Sequence, residues 1–188
     1  MSSKKVLGLC GSLRVKSTNL AALHAAGELM PSGMELSIAS LIDIPMYNGD
    51  VEAQGIPASV QHLRSQILAA DALLIASPEY NFSISGALKN AIDWLSRTSP
   101  QPLKDKPAAV MSVTGGPVGG ARNQYDLRKI LGAMEVIVLP KPEVFIGLNQ
   151  NKFNAEGRLV DEPARAAIAA QMTAFHAWIG RVGIPAAK

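Results

Sequence analysis

The stretch whose reading decides the fold is GSLRVKSTN, Gly11–Asn19, set between the apolar run VLGLC (Val6–Cys10) and the run LAALHAAGELM (Leu20–Met30). Five apolar residues closed by Gly-Ser read as a buried strand, and the Ala/Leu-rich run that follows reads as a helix. The chain therefore crosses from strand to helix through short polar side chains, two cations and no acid. Gly11 permits a tight turn, Ser12, Ser17, Thr18 and Asn19 offer side-chain hydrogen bonds, and the first helical amides have no intrahelical partner. Unpaired amides and the helix dipole favour an anion, and Arg14 adds a forked, charged donor. The loop reads as a cradle for a terminal phosphomonoester. It lacks the Gly-Lys-Ser/Thr of a nucleoside-triphosphate loop and the three glycines of the dinucleotide fingerprint. An ordinary Ser/Thr helix cap with solvated cations would use the same residues.

Apolar, β-rich runs alternate with helix-period segments along the rest of the chain. Strands are predicted at Lys5–Cys10, Glu35–Ser40, Ala72–Ser77, Ala108–Thr114 and Glu135–Val138, with a short addition at Val144–Ile146. Helices are predicted at Thr18–Met30, Ala58–Ala69, Ser85–Ser96, Ala121–Met134 and Glu162–Val182. Continuous apolar strands separated by helices imply a parallel sheet covered on both faces. With right-handed crossovers, five such strands suggest an α/β, flavodoxin-like, doubly wound sheet in the order 2-1-3-4-5, forming one domain over 1–188. In that order the ligand crevice lies beyond the carboxyl ends of strands 1 and 3. The loops after Cys10, Ser77 and Thr114 should converge there.

The second loop, within SPEYNFSISGALKNAIDWLSR (Ser77–Arg97), places Pro78, Glu79, Tyr80 and Asn81 at a strand end. Backbone amides from Glu79 to Asn81 could bind the polar edge of a flat ring shielded by Tyr80, or the run could be a structural turn before a core helix. Lys89, Asp93 and Arg97 recur every fourth residue and read as a solvated, ion-paired face. The third loop, TGGPVGGARNQ (Thr114–Gln124), puts four glycines into six positions, which suits close backbone approach to a ligand or a flexible turn. A phosphate cradle beside two ring-accommodating loops points to a phosphorylated planar cofactor, and flavin mononucleotide (FMN) fits best.

Composition narrows the alternatives. The 188 residues are 48% hydrophobic and 18% charged with a net charge of +3, and no stretch approaches the roughly 20 apolar residues of a membrane span. Aromatics are only 5% and no long basic stripe exists, so nucleic acid is not an expected partner. The five-residue apolar run near the start is too short for a secretory signal, and one cysteine cannot form an internal disulfide; both favour a cytoplasmic setting. Cys10 reads as a small core residue. His24, His62 and His176 all fall in predicted helices, outside the three loops.

At GSLRVKSTN, PEYNFSISGALKNAIDWLSR, GGARNQYDLRKIL, KPEVFIG and QNKF the chain resembles the NAD(P)H-dependent FMN reductase superfamily, and within it the bacterial chromate or quinone reductases. The resemblance implies that Ser12, Arg14, Ser17 and Asn19, with Gly11 and Thr18 in the same loop, bind the FMN phosphate. It implies that Pro78, Glu79, Tyr80 and Asn81 border the isoalloxazine ring and that Ser112, Gly115 and Gly116 complete the ring site. It further implies homodimers that pair into homotetramers through an Arg122, Tyr125 and Glu143 network. Phe82, Ile84, Tyr125 and Leu127 are candidates for a partner-facing surface or for core. The implied activity is NADH- or NADPH-dependent reduction of quinones through flavin N5, with chromate or other oxyanions as incidental acceptors; no side-chain acid or metal is required. A flavodoxin-type electron carrier would share the fold but would be expected to be acidic, and a flavin-binding sensor would bind without turnover.

Overall fold

The computed structural model describes residues 3–182. Its centre is a parallel sheet built from β1 (Lys4–Cys10), β2 (Met34–Ala39), β3 (Ala72–Ala76), β4 (Pro107–Val113), β5 (Ile137–Val138) and β6 (Val144–Ile146). The order is β2-β1-β3-β4-β5, and β6 also pairs with β4, as the alternation predicts. The helices are α1 (Thr18–Glu28), α2 (Gly49–Glu52), α3 (Ala58–Ala69), α4 (Gly86–Leu95), α5 (Ala121–Ala133) and α6 (Glu162–Val182). The short α2 has no counterpart in the sequence reading, because four residues are too few to show a period.

The strands alternate with the expected period of two, and this alternation separates two cores. Val6, Cys10, Leu74, Met111 and Val113 face α1 and α6. Leu7, Leu9, Leu73, Ile75 and Val110 face α3, α4 and α5. Because both faces are covered, β3 and β4 are buried along their whole length, which is why they read as uninterrupted apolar runs.

The fifth strand position is split. β5 pairs with the start of β4 at Pro107 and Ala108, and β6 pairs with its end from Met111 to Val113. Between them lie Pro140 and Pro142, which have no N–H to give to a ladder. Side chains take over there: Gln171 Nε2 donates to the carbonyls of Val110 (3.1 Å) and Pro142 (3.0 Å). Gln124 Nε2 reaches the Val144 carbonyl at 2.7 Å, and Arg128 donates to the Leu139 carbonyl at 2.9 Å. The predicted strand Glu135–Val138 is accordingly shortened, with Glu135 in a left-handed turn (φ 57°).

Candidate functional site

The carboxyl ends of β1, β3 and β4 bring the three loops together, and hydrogen bonds between the loops fix them. Gly11 N–H donates to the Ala76 carbonyl at 2.8 Å, while its own carbonyl accepts from Ser85 Oγ at 2.5 Å. Ser85 also caps α4 by accepting from the Leu88 amide. Asn19 Nδ2 donates to the Val113 carbonyl at 2.9 Å, and Asn19 Oδ1 accepts from the Val113 amide at 3.0 Å. One buried side chain thus ties the first turn of α1 to the end of β4.

Within the first loop, Ser17 is the N-cap of α1, its side chain accepting from Leu20 N–H at 3.2 Å. The Ser17 carbonyl takes the Ala21 amide. Among the described residues, the amides of Thr18 and Asn19 have no protein acceptor, as expected for the start of a helix. Arg14 is exposed beside them, and its amide lies 3.4 Å from Ser12 Oγ. Thr18 Oγ1 accepts from Asn149 Nδ2 at 3.3 Å. The loop therefore presents open amides, hydroxyls and a free-standing cation at a helix mouth, a donor set suited to a phosphate. The Asn19 carboxamide is buried and turned inward, where it positions the helix mouth, while its backbone amide stays open. Cys10 lies beneath the loop, its Sγ 3.4 Å from the Ser12 carbonyl. Burial pushes its thiol pKa up, so it remains a protonated core group at neutral pH.

The second loop is a tight reversal. Tyr80 and Ser83 exchange backbone hydrogen bonds of 3.0 and 3.1 Å, and both central residues are left-handed, Asn81 at φ 50° and Phe82 at φ 69°. Asn accepts that conformation readily, whereas Phe does so at a cost. The loop is stapled to α5, which offsets the cost. Arg122 Nε donates to Glu79 Oε1 at 2.7 Å, and the Asn123 amide lies 3.3 Å from Glu79 Oε2. The Arg122 guanidinium stacks 3.9 Å from the centre of the Phe82 ring, and Ser83 Oγ donates to Asp126 Oδ2 at 2.6 Å. Ser77 Oγ adds a 2.7 Å bond to Asn123 Oδ1. The Glu79 side chain is only 8% exposed, so it serves the loop as an anchor, while Tyr80 is left at the surface.

The third loop divides its four glycines into two pairs. Gly119 and Gly120 have φ of 62° and 84°, and a Cβ on either would come within 2.7 Å of Phe145 or Ser112. They are required by packing at the start of α5. At Gly116 a Cβ would meet nothing within 4 Å, and at Gly115 only the tips of Asn149 and Gln150; these two form the open part of the loop. Ser112 is fully buried, donating to the Gly119 carbonyl at 2.5 Å and accepting from Gln124 Nε2 at 2.8 Å. It supports the glycine turn from below.

The sequence-derived interface residues each have a partner within the chain. Arg122 binds Glu79, and Glu143 accepts from Lys141 with Arg128 at 3.9 Å. Tyr125 is 57% exposed, with its ring tilted 6.3 Å from that of Phe145. Phe82 is 64% exposed, whereas Ile84 and Leu127 belong to the core. Lys89 and Asp93 form the expected surface pair at 2.7 Å, and Arg97 instead lies over the Tyr47 ring. The three histidines lie in α1, α3 and α6. The Glu79 staple was invisible in the sequence because its partners are 43 and 44 residues away; only the turn-forming Asn81 hinted at the reversal.

The three loops meet beyond the carboxyl ends of β1, β3 and β4, at the switch point of a 2-1-3-4-5 sheet, where doubly wound folds of the flavodoxin-like class hold their ligands. Residues 4–151 match the family described as NADPH-dependent FMN reductase. The chain belongs to that family and is an FMN-dependent oxidoreductase. It is 51% identical to an NAD(P)H-dependent FMN reductase of Pseudomonas aeruginosa, over 95% of this chain and 96% of that protein. It is 43% identical to a quinone reductase of Escherichia coli K12, over 98% of this chain and all of that protein. Among solved structures, the flavoenzyme FerB of Paracoccus denitrificans, an NAD(P)H:(acceptor) oxidoreductase, superposes with a TM-score of 0.87 at 34% identity, covering 96% of this chain and 100% of that one. Among the described residues, no helix is long and apolar enough to cross a membrane and no acidic or histidine cluster could hold a metal.

Proposed function

We propose that the protein carries electrons from NADH or NADPH to quinones, with FMN held in the three-loop crevice. The observation that carries this reading is the convergence of the open Thr18 and Asn19 amides, exposed Arg14 and the stapled Tyr80–Ser83 turn at one end of the sheet. The chemistry supplied by bound FMN is acceptance of hydride at N5 from the nicotinamide and return of two electrons to the acceptor.

The chain's own residues bind and orient. Ser12, Arg14, Ser17 and the first amides of α1 would hold the phosphate. Backbone amides of Glu79, Tyr80 and Asn81 and the open Gly115–Gly116 segment would meet the polar edge of the ring, and fixed dipoles there would favour negative charge without reorganisation. Asn19, Ser112 and Glu79 act by holding those donors in place. One hydride plus one proton from water accounts for a quinone becoming a hydroquinone, so no side-chain acid is assigned. Chromate and other oxyanions are incidental acceptors, taking electrons from the same open flavin face.

The exposed Phe82 and Tyr125 beside Arg122 and Glu143 support assembly into a homodimer or homotetramer. The Tyr125→Phe variant should dissociate at higher concentration with its FMN content retained; light scattering that superposes on the wild type would count against this surface. The function itself is tested by adding NADH or NADPH anaerobically to the FMN-loaded protein and then a benzoquinone. Flavin absorption should bleach and then return. Bound flavin that does not bleach would overturn the reductase reading.

A further inference from the structure

A second concavity adjoins the phosphate cradle. Residues 152–161 fold back as a short hairpin, with Phe153 and Leu159 bridged, the Asn154 amide donating to the Arg158 carbonyl at 3.0 Å, and Lys152 paired with Asp161 at 2.9 Å. Between this hairpin and the outer face of α1 lies a groove of about 580 Å³, within the size range of small-molecule sites. It starts at the cradle's own Lys16, Ser17 and Thr18 and follows α1 to Glu28. Eleven residues at 1.5 Å each make that run about 16 Å.

The charges sit at the two ends. Lys16 stands at the cradle end; at the far end Arg158 and Arg165 flank Glu28, donating to its two oxygens at 2.8 and 3.1 Å. Glu28 thereby orients two guanidinium groups into one cluster. With Glu156 also counted, the far end carries two cations against two acids, and Lys16 at the cradle end is the unbalanced charge of the lining. Between the ends the lining is apolar, from Ala21, Ala25, Phe153 and Leu159, with the His24 ring beside it. A ligand matched to this groove has a flat, largely apolar body with an anionic group toward the cradle end, where Lys16 stands, and hydrogen-bonding edges toward the arginine–glutamate cluster at the far end.

We propose that this groove binds the adenosine-phosphate portion of a nucleotide, a reading that rests on the cradle being the FMN phosphate site. That portion has two sources with the same chemistry. It is the adenosine end of the nicotinamide donor, or it is the tail of flavin adenine dinucleotide (FAD) leaving the cradle in place of FMN.

Calorimetric titration distinguishes them. The FMN-loaded protein is titrated with ADP and with adenosine 2′,5′-bisphosphate, and the flavin-free full chain with FMN and with FAD. Arg158→Glu and Ala21→Trp test the groove: Arg158 is 69% exposed and Ala21 is partly exposed, so neither change disturbs the core. Saturable binding of an adenosine phosphate to the FMN-loaded protein, weakened at least tenfold by both substitutions, establishes the donor source. FAD binding tighter than FMN, with the advantage lost in both variants, establishes the second. No adenosine-phosphate binding and no FAD advantage, or binding unchanged in both variants, overturns the proposal. Failure of the wild type to bind FMN would be a failure of the cradle reading and shows in its own titration.

Discussion

The loop at Gly11–Asn19 and the loop at Pro78–Ser83 border the same crevice but are built in opposite ways. The first takes the shape of its helix mouth mostly from neighbours in sequence: Ser17 caps α1 three residues on and the helix start supplies the amides, while Gly11 and Asn19 tie its two ends to the neighbouring strands and loops. The second takes its shape from α5. Its two left-handed residues persist because Glu79, Phe82 and Ser83 are bound to Arg122, Asn123 and Asp126. A locally specified loop suits the constant part of a ligand, such as a phosphate. A loop held by a neighbouring helix can be altered by whatever that helix contacts, including a second subunit against Tyr125.

The largest effect is expected where a buried side chain ties the local loop to β4 through two hydrogen bonds. Asn19→Ala leaves the Val113 amide and carbonyl unpartnered in a buried position, and should cost about 2–4 kcal/mol of stability. Urea unfolding showing a loss below about 1 kcal/mol would mean that the cradle needs no such tie. Arg14→Ala should leave stability unchanged yet weaken FMN binding by about 1.5–3 kcal/mol, the contribution of a charge-assisted contact. A fluorescence titration matching the wild type would remove Arg14 from the phosphate site.

Glu79→Gln should act on the ring loop alone. The neutral amide keeps the volume but loses charge-assisted bonds, one of them to the half-exposed Arg122, so FMN affinity should fall by about tenfold. Hydrogen exchange should then quicken at residues 79–83 and stay unchanged at 12–19; equal quickening in both would erase the contrast between the loops. Acid should produce the smallest version of the same difference. Asp126 is held below the ordinary carboxylate pKa by the Ser83 hydroxyl and then by Lys129. A lowered native pKa means that its contribution is present above the ordinary carboxylate range and is lost as pH falls through the lowered value. Residues 11–19 contain no carboxylate, so exchange should quicken in the ring loop before the cradle as pH drops below about 4.

Acid should also weaken the hairpin beside α1, since Asp161 is lowered by Lys152 and the Ala164 amide, and Glu28 by Arg158 and Arg165. The surface pairs contribute little individually.

The sequence by itself determined the sheet, its order and where the three loops meet, because buried parallel strands must be continuously apolar and their crossovers have one hand. It also determined the capped, open start of α1, since a Ser cap and unpaired first amides are properties of a few consecutive residues. Tertiary structure decided what those residues could not express alone. It turned Asn19 inward, assigned Gly119 and Gly120 to packing and Gly115 and Gly116 to the open rim, and split the fifth strand around Pro140 and Pro142, with Gln171 and Gln124 supplying hydrogen bonds at the gap. It also set Glu79 against the start of α5. Each of these depends on atoms brought together from distant positions in the chain, where hydrogen-bonding groups removed from water must find partners that no local pattern announces.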